Sequence, residues 1–135
     1  MRSLLITPED EITINFVIAV TKKGGIVVDE NEEILKQTYG EALDETSFEK
    51  HQAVFRFPSF GDMVSIAGRV STTDGIGVEF SPLALRLTRM ATLLKNWSLQ
   101  DNGEPIPPTR ESLVQLSPVV ANLIGMQLDI QIGGM

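Results

Sequence analysis

"EITINFVIAV", Glu11 to Val20, is the stretch on which the reading of the fold turns. Ile12, Ile14, Phe16, Ile18 and Val20 recur at period two, which puts all five on one face of a β-strand. The other face carries Thr13 and Asn15 and then turns apolar at Val17 and Ala19. "TKKGG" supplies a turn through Gly24-Gly25, so that Ile26 to Val28 can return as a short antiparallel partner. An N-terminal β-hairpin is the expectation.

Working outward, "DENEEILKQTYGEAL" is rich in acids and good helix formers. Asp29 or Asn31 could cap this helix, Glu32 and Glu33 favour its first turn, and Gly40 weakens any continuation. "DETSFEKHQAVFRFP" reads as either an extended arm or a strand. Val54, Phe55 and Phe57 favour extension, and Pro58 biases Phe57 away from helix. The second half reads as helical. Ser59 can cap "FGDMVSIAGRV", with Asp62 approximating a capping box and Phe60, Met63, Val64, Ala67 and Val70 sharing a face. Ser71 to Gly77 reads as loop, and Ser81-Pro82 as the start of a further helix. Its apolar stripe is Leu83, Leu87, Met90, Leu94 and Trp97, with Arg86, Arg89 and Lys95 beside or opposite. Thr109 can cap "RESLVQL", and Ser117-Pro118 opens "VVANLIGMQLDIQI". Val120, Leu123, Ile124 and Leu128 form the inward face of that last helix, and Gly133-Gly134 lets it fray.

Strands first and helices after predict an α+β fold, an N-terminal β-hairpin followed by a mainly helical C-terminal half. The 135 residues are expected to form one domain. Residues 1–57 supply the hairpin and acidic helical segment, and residues 58–135 the helical portion. Eleven basic residues against 18 acidic ones give a net charge of −7, which opposes binding to phosphate backbones. No nucleic-acid partner is expected. The absence of cysteine excludes disulfides, thiolate metal sites and thiol nucleophiles. The apolar stretch before Pro8 is too short for a secretory signal, and no run reaches the roughly 18 apolar residues of a membrane span. A cytosolic protein with no membrane partner is the simplest expectation.

Motifs for chemistry are sparse. Aligning Gly103 or Gly75 with the invariant glycine of an EF-hand loop puts Ser98 and Thr109, or Val70 and Ser81, where terminal carboxylates are needed. Calcium binding of that type is rejected. His51 is the only histidine, with no second histidine for a zinc pair and no Gly-x-Ser-x-Gly elbow for a triad, and it reads as a polar residue on an extended segment. Gly75-Ile76-Gly77 lacks the third glycine of a dinucleotide fingerprint. No catalytic residue, metal or cofactor is expected. A small hydrolase with a carboxylate dyad remains an alternative, since spatial pairs need not be sequence neighbours. Glu30, Glu32, Glu33, Glu41, Asp44 and Glu45 read as a solvated face, with an acidic docking surface as the alternative. Phe55, Phe57 and Phe60 bracket Arg56 and Pro58, which is either core packing or a partner-binding groove. Trp97 is expected to close the core at the end of its helical stripe, its indole N–H bonded to a carbonyl of the following loop.

"FRFPSFGDM", a helix ending in Lys-Asn-Trp, then "SLQDNGEPIPPT", "RESLVQL" and Ser-Pro form a recognisable succession. Over about residues 53–132 it resembles the small tail assembly chaperones, and baseplate-hub assembly relatives, of long-tailed bacteriophages. Trp97, Asp101, Gly103, Pro105, Leu113, Leu116 and Pro118 occupy the pattern that carries the likeness. The resemblance implies binding rather than catalysis. The partner would be the tape-measure protein or another tail or baseplate-hub protein, met in the host cytoplasm during assembly. Phe55, Phe57, Phe60, Trp97 and Leu113 are the candidate partner-binding residues. A structural virion component of tail, baseplate or neck, using the hairpin to augment a neighbour's sheet, is the alternative. Self-association is left open. A soluble holder of an amphipathic helix needs apolar grooves and net charge, and Leu stripes, five Met residues and a charge of −7 are compatible with that.

Overall fold

A computed structural model describes residues 4–73 and 82–133 of the chain. Strand β1 (Glu11–Val20) pairs antiparallel with β2 (Ile26–Asp29), Ile18 standing opposite Val28. The turn between them closes through Thr21 and Gly25. Helix α1 (Glu32–Tyr39) is capped by Asn31, whose side chain accepts from the Ile34 N–H, and a 3-10 turn follows at Gly40–Ala42. The ambiguous segment is a strand, β3 (Glu49–Arg56), paired along β1 with Ile12 opposite Phe55 and Phe16 opposite His51. Two helices follow, α2 (Phe60–Thr73) and α3 (Pro82–Leu93). Strand β4 (Leu94–Trp97) then completes a four-stranded sheet in the order β2-β1-β3-β4. A two-stranded ribbon, β5 (Gln100–Asp101) and β6 (Glu104–Pro105), leads to α4 (Arg110–Gln115) and α5 (Pro118–Ile132). The fold is α+β, with antiparallel strands at the N-terminal end and helices dominating the C-terminal half.

The alternation in β1 sorts the core into two unequal clusters. Ile12, Ile14 and Phe16, with Ala53 and Phe55 of β3, pack against Ile66, Met90, Leu93, Ile124 and Leu128 of the helices. On the opposite face Val17 and Ala19 join Val27, Leu35 and Leu43 under α1. The apolar end of β1's second face therefore has a cause: α1 covers only that end. Thr13 and Asn15 lie beyond its reach and stay exposed.

Two helical readings need correction. The stripe from Leu83 to Trp97 is not one helix, because α3 stops at Leu93 and the chain enters β4 without a loop. Asn, Trp and Ser are mediocre helix formers, and β3 would otherwise leave a long row of unpaired backbone groups. The pairing of Phe55 with Leu94 and Val54 with Asn96, across a register shift, satisfies them. On α2 the inward face is Ile66 and Val70 with Met63 half-buried, whereas Phe60 is 83% and Val64 57% exposed. An ion pair sets that rotation. Arg56 grips Asp62 through two bonds of 2.8 and 3.2 Å, and also donates to the Thr92 carbonyl. Asp62, Ile66 and Val70 share one helical face, so holding Asp62 inward turns Phe60 and Val64 out.

The caps follow expectation where they can be seen. Ser59 and Asp62 form a reciprocal capping box, with bonds of 2.9 and 3.1 Å. Thr109 accepts from the Ser112 N–H, and Pro118 occupies the first turn of α5 behind Ser117. The loop read from Ser71 to Gly77 starts later, since α2 continues to Thr73. Its remainder, including Gly75-Ile76-Gly77, lies outside the described residues, as do the cap at Ser81 and the second glycine of Gly133-Gly134.

Candidate functional site

Past Phe16, the core face of the sheet runs out from under the helices. Ile18 and Val20 of β1 and Ile26 of β2 continue it, but α4 is short and the α4–α5 corner at Ser117 turns before covering them. The result is a cleft of about 420 Å³. Ile18, Leu99, Ile106, Leu116 and Val120 form its apolar floor, and Ile26 stays 46% exposed at its mouth. Polar groups stand around them: Glu49 and His51 from β3, Asp101 from the ribbon, and Ser112, Gln115 and Ser117 from the helical corner.

His51 is fixed on three sides. Its ring stacks on Phe16 with centroids 5.9 Å apart. Nδ1 lies 3.0 Å from the Ser98 hydroxyl and Nε2 lies 3.2 Å from the Glu49 carboxylate. A carboxylate can only accept, so Nε2 presents its N–H to Glu49, while Nδ1 faces the Ser98 hydroxyl, which also lies 3.4 Å from the Gln52 carbonyl. Ser98 in turn accepts from the Gln52 N–H at 2.9 Å and donates its own N–H to the Gln52 carbonyl. The hydroxyl thus prolongs the β3–β4 ladder by one rung. Ser98 sits in extended chain between β4 and β5, away from any strand-to-helix elbow. The group is a brace between strands, with the imidazole edge forming part of the cleft wall.

A second, smaller groove of about 260 Å³ opens on the other side of α4, walled by α3, α4 and α5. Leu87, Met90, Leu113 and Leu116 lie along it, and its lips are Leu83, 66% exposed, and Val114, 62% exposed. Arg86 is its only charged lining residue among those described. That guanidinium is turned toward Asp129 at 3.2 Å, and Asp129 also receives the buried Arg89. Two arginines on one carboxylate tie α3 to α5 beside the groove. Leu116 borders both the groove and the cleft, so the α4–α5 corner is flanked by apolar surface on two sides.

The five residues named as partner contacts separate. Phe55 is fully buried in the core and is not available to a partner. Leu113 is also nearly buried, and what it presents is the floor of the α3–α4–α5 groove. Phe57 is half-buried against the main core. Phe60 stands free on α2, away from both hollows. Trp97 lies on β4 rather than on a helix, half-buried, and its indole N–H donates to the Ile106 carbonyl at 2.6 Å, a loop carbonyl as expected. The structure therefore does not gather these residues into one surface. The cleft brings together His51, Leu99, Ile106 and Leu116, which the sequence reading did not single out for binding. The signal was present for His51: it keeps the period-two register of Ala53 and Phe55, and so faces the same side.

The stretch tested as a calcium loop forms a tight hairpin. Asn102 (φ 52°) and Gly103 (φ 81°) are both left-handed, as a type I′ turn requires, and Asp101 faces Glu104 across it. Among the described residues no group of three or more His, Cys, Asp or Glu side chains is placed to hold a metal ion. No helix among them is long and apolar enough to cross a membrane. The acidic stretch lies over α1 and the turn after it, with Glu33, Glu41 and Glu45 exposed. Comparison with known proteins gives no matching family model, no matching curated protein and no matching solved structure.

Proposed function

We propose that this chain is a non-enzymatic assembly factor of a long-tailed phage, which holds an amphipathic helix of another tail protein, the tape-measure protein first among the candidates. The groove between α3, α4 and α5 carries the reading: an open, almost wholly apolar channel with Leu83 and Val114 exposed at its lips. Helices bind in such grooves through side chains spaced three and four residues apart. The sequence likeness supports the same reading, because its pattern from Trp97 to Pro118 covers the β4 strand, the ribbon and the α4–α5 corner beside the groove. A net charge of −7 would keep the complex of such a chain with an aggregation-prone helix in solution.

The test is co-expression with the tape-measure protein of the parent phage, followed by mass spectrometry of finished particles. The expected result is a soluble co-purifying complex and no trace of this chain in mature virions. A fixed number of copies in the finished particle would instead establish the structural-component alternative.

A further inference from the structure

We infer that the cleft beside His51 is a second docking site, for a cationic apolar segment of the partner; this rests on the protein-binding reading above. Its floor is aliphatic, supplied by Ile18, Leu99, Ile106, Leu116 and Val120. Its volume of about 420 Å³ falls in the range of ligand cavities, roughly 300–1,000 Å³. Apart from His51, the titratable side chains in its described lining are acidic. Glu49 and Asp101 stand in its lining, which contains no Lys or Arg among the described residues, and Asp101 faces Glu104 across the ribbon. Lys22, Lys23, Lys50 and Arg110 flank lining residues in sequence but are not themselves part of the lining.

An apolar ligand alone would leave Asp101, and the Glu49 lone pairs that His51 does not take, without a partner, and an acidic ligand would be repelled by them. Lys and Arg suit both halves of the site, because their stems lie along apolar surface such as Ile26 while their charged ends reach an acid at the rim. The occupant is therefore a helix or extended segment with large aliphatic side chains for the floor and Lys or Arg beside them. Glu49 also positions the His51 edge, so a cation drawn to Glu49 meets a wall already fixed by Ser98 and Phe16.

The experiment uses the full chain and two synthetic amphipathic helices with identical Leu faces, one with Lys and one with Glu on the polar face. Binding is read by fluorescence anisotropy, and its location by methyl NMR of the isoleucines, leucines and valines. The Leu/Lys helix should bind, weaken as salt is raised, and shift the methyls of Ile18, Ile26 and Ile106. Glu49→Lys with Asp101→Lys should weaken it about tenfold. Glu33→Lys with Glu41→Lys changes net charge equally on the far side of the sheet and should leave affinity within about twofold. Equal binding of the Leu/Glu helix, or equal loss in both charge-reversed variants, would overturn the proposal. Methyl shifts confined to Leu83, Leu87 and Val114 would also overturn it, while leaving the helix-holding role intact. So would failure of the Leu/Lys helix to bind a chain that still co-purifies with its natural partner.

Discussion

Single side chains decide how the helical layer is seated. Asp62 receives the Arg56 guanidinium, and with it the Ser59 N–H, and these hold its carboxyl below the usual range. A depressed carboxyl contributes stability above its unfolded pKa of about 3.9 and loses it as pH falls through the folded value. Thermal melts of Asp62→Asn should therefore show a lower Tm than wild type at neutral pH, with the gap closing below about pH 4. Asp44, depressed by its bonds to Thr46, loses its contribution at acid pH in both proteins and so cancels from the difference. A second residue-scale test lies at Gly125. A Cβ there would come within 2.4 Å of Arg86 Cδ and 2.8 Å of its Cγ, the middle of the side chain rather than its tip. Gly125→Ala should destabilise the native chain by about 1–3 kcal/mol through overpacking. In an Arg86→Ala background it should stabilise by up to about 1 kcal/mol, the helix-propensity gain alone. Chemical denaturation of the four proteins in the cycle measures that reversal.

At the scale of elements, the sequence spoke clearly wherever a local rule was sufficient. The period of β1, the caps at Asn31, Ser59 and Thr109, and Pro118 at a helix start all act through near neighbours. What stayed illegible was set at a distance. Nothing near Leu94 says that β3, some forty residues earlier, lacks a partner on that side; the spacing of three from Leu94 to Trp97 is helical, and only the register shift against β3 sets them opposite Phe55 and Ala53 on one face. The rotation of α2 was hidden in the same way, since Phe60 and Val64 look like a core face until Arg56 is placed on Asp62. Trp97→Phe keeps the ring in the β4 register but leaves the Ile106 carbonyl without its donor. A loss of about 1 kcal/mol is expected, with faster amide exchange in the β5–β6 ribbon. A helical Trp97 would lead instead to loss of protection along α3.

Across the whole molecule, burial is divided unevenly over the sheet. The helices cover Ile12 to Phe16 and leave Ile18, Val20 and Ile26 to line an open cleft. A short α4 is the reason, and a six-residue helix carries too little pattern for its reach to be read from sequence. Neither hollow was legible as a surface, because each is assembled from elements far apart in sequence. Phe55, read as either core or partner contact, is core, while His51, read as an ordinary polar residue, forms a wall. The decisive test of the proposed helix-holding role places a charge at each lip of the α3–α4–α5 groove. Leu83→Asp with Val114→Asp, both at exposed positions, should leave Tm within a few degrees of wild type. Co-purification with the tape-measure protein should then be lost. Undiminished co-purification of that folded variant would contradict the account.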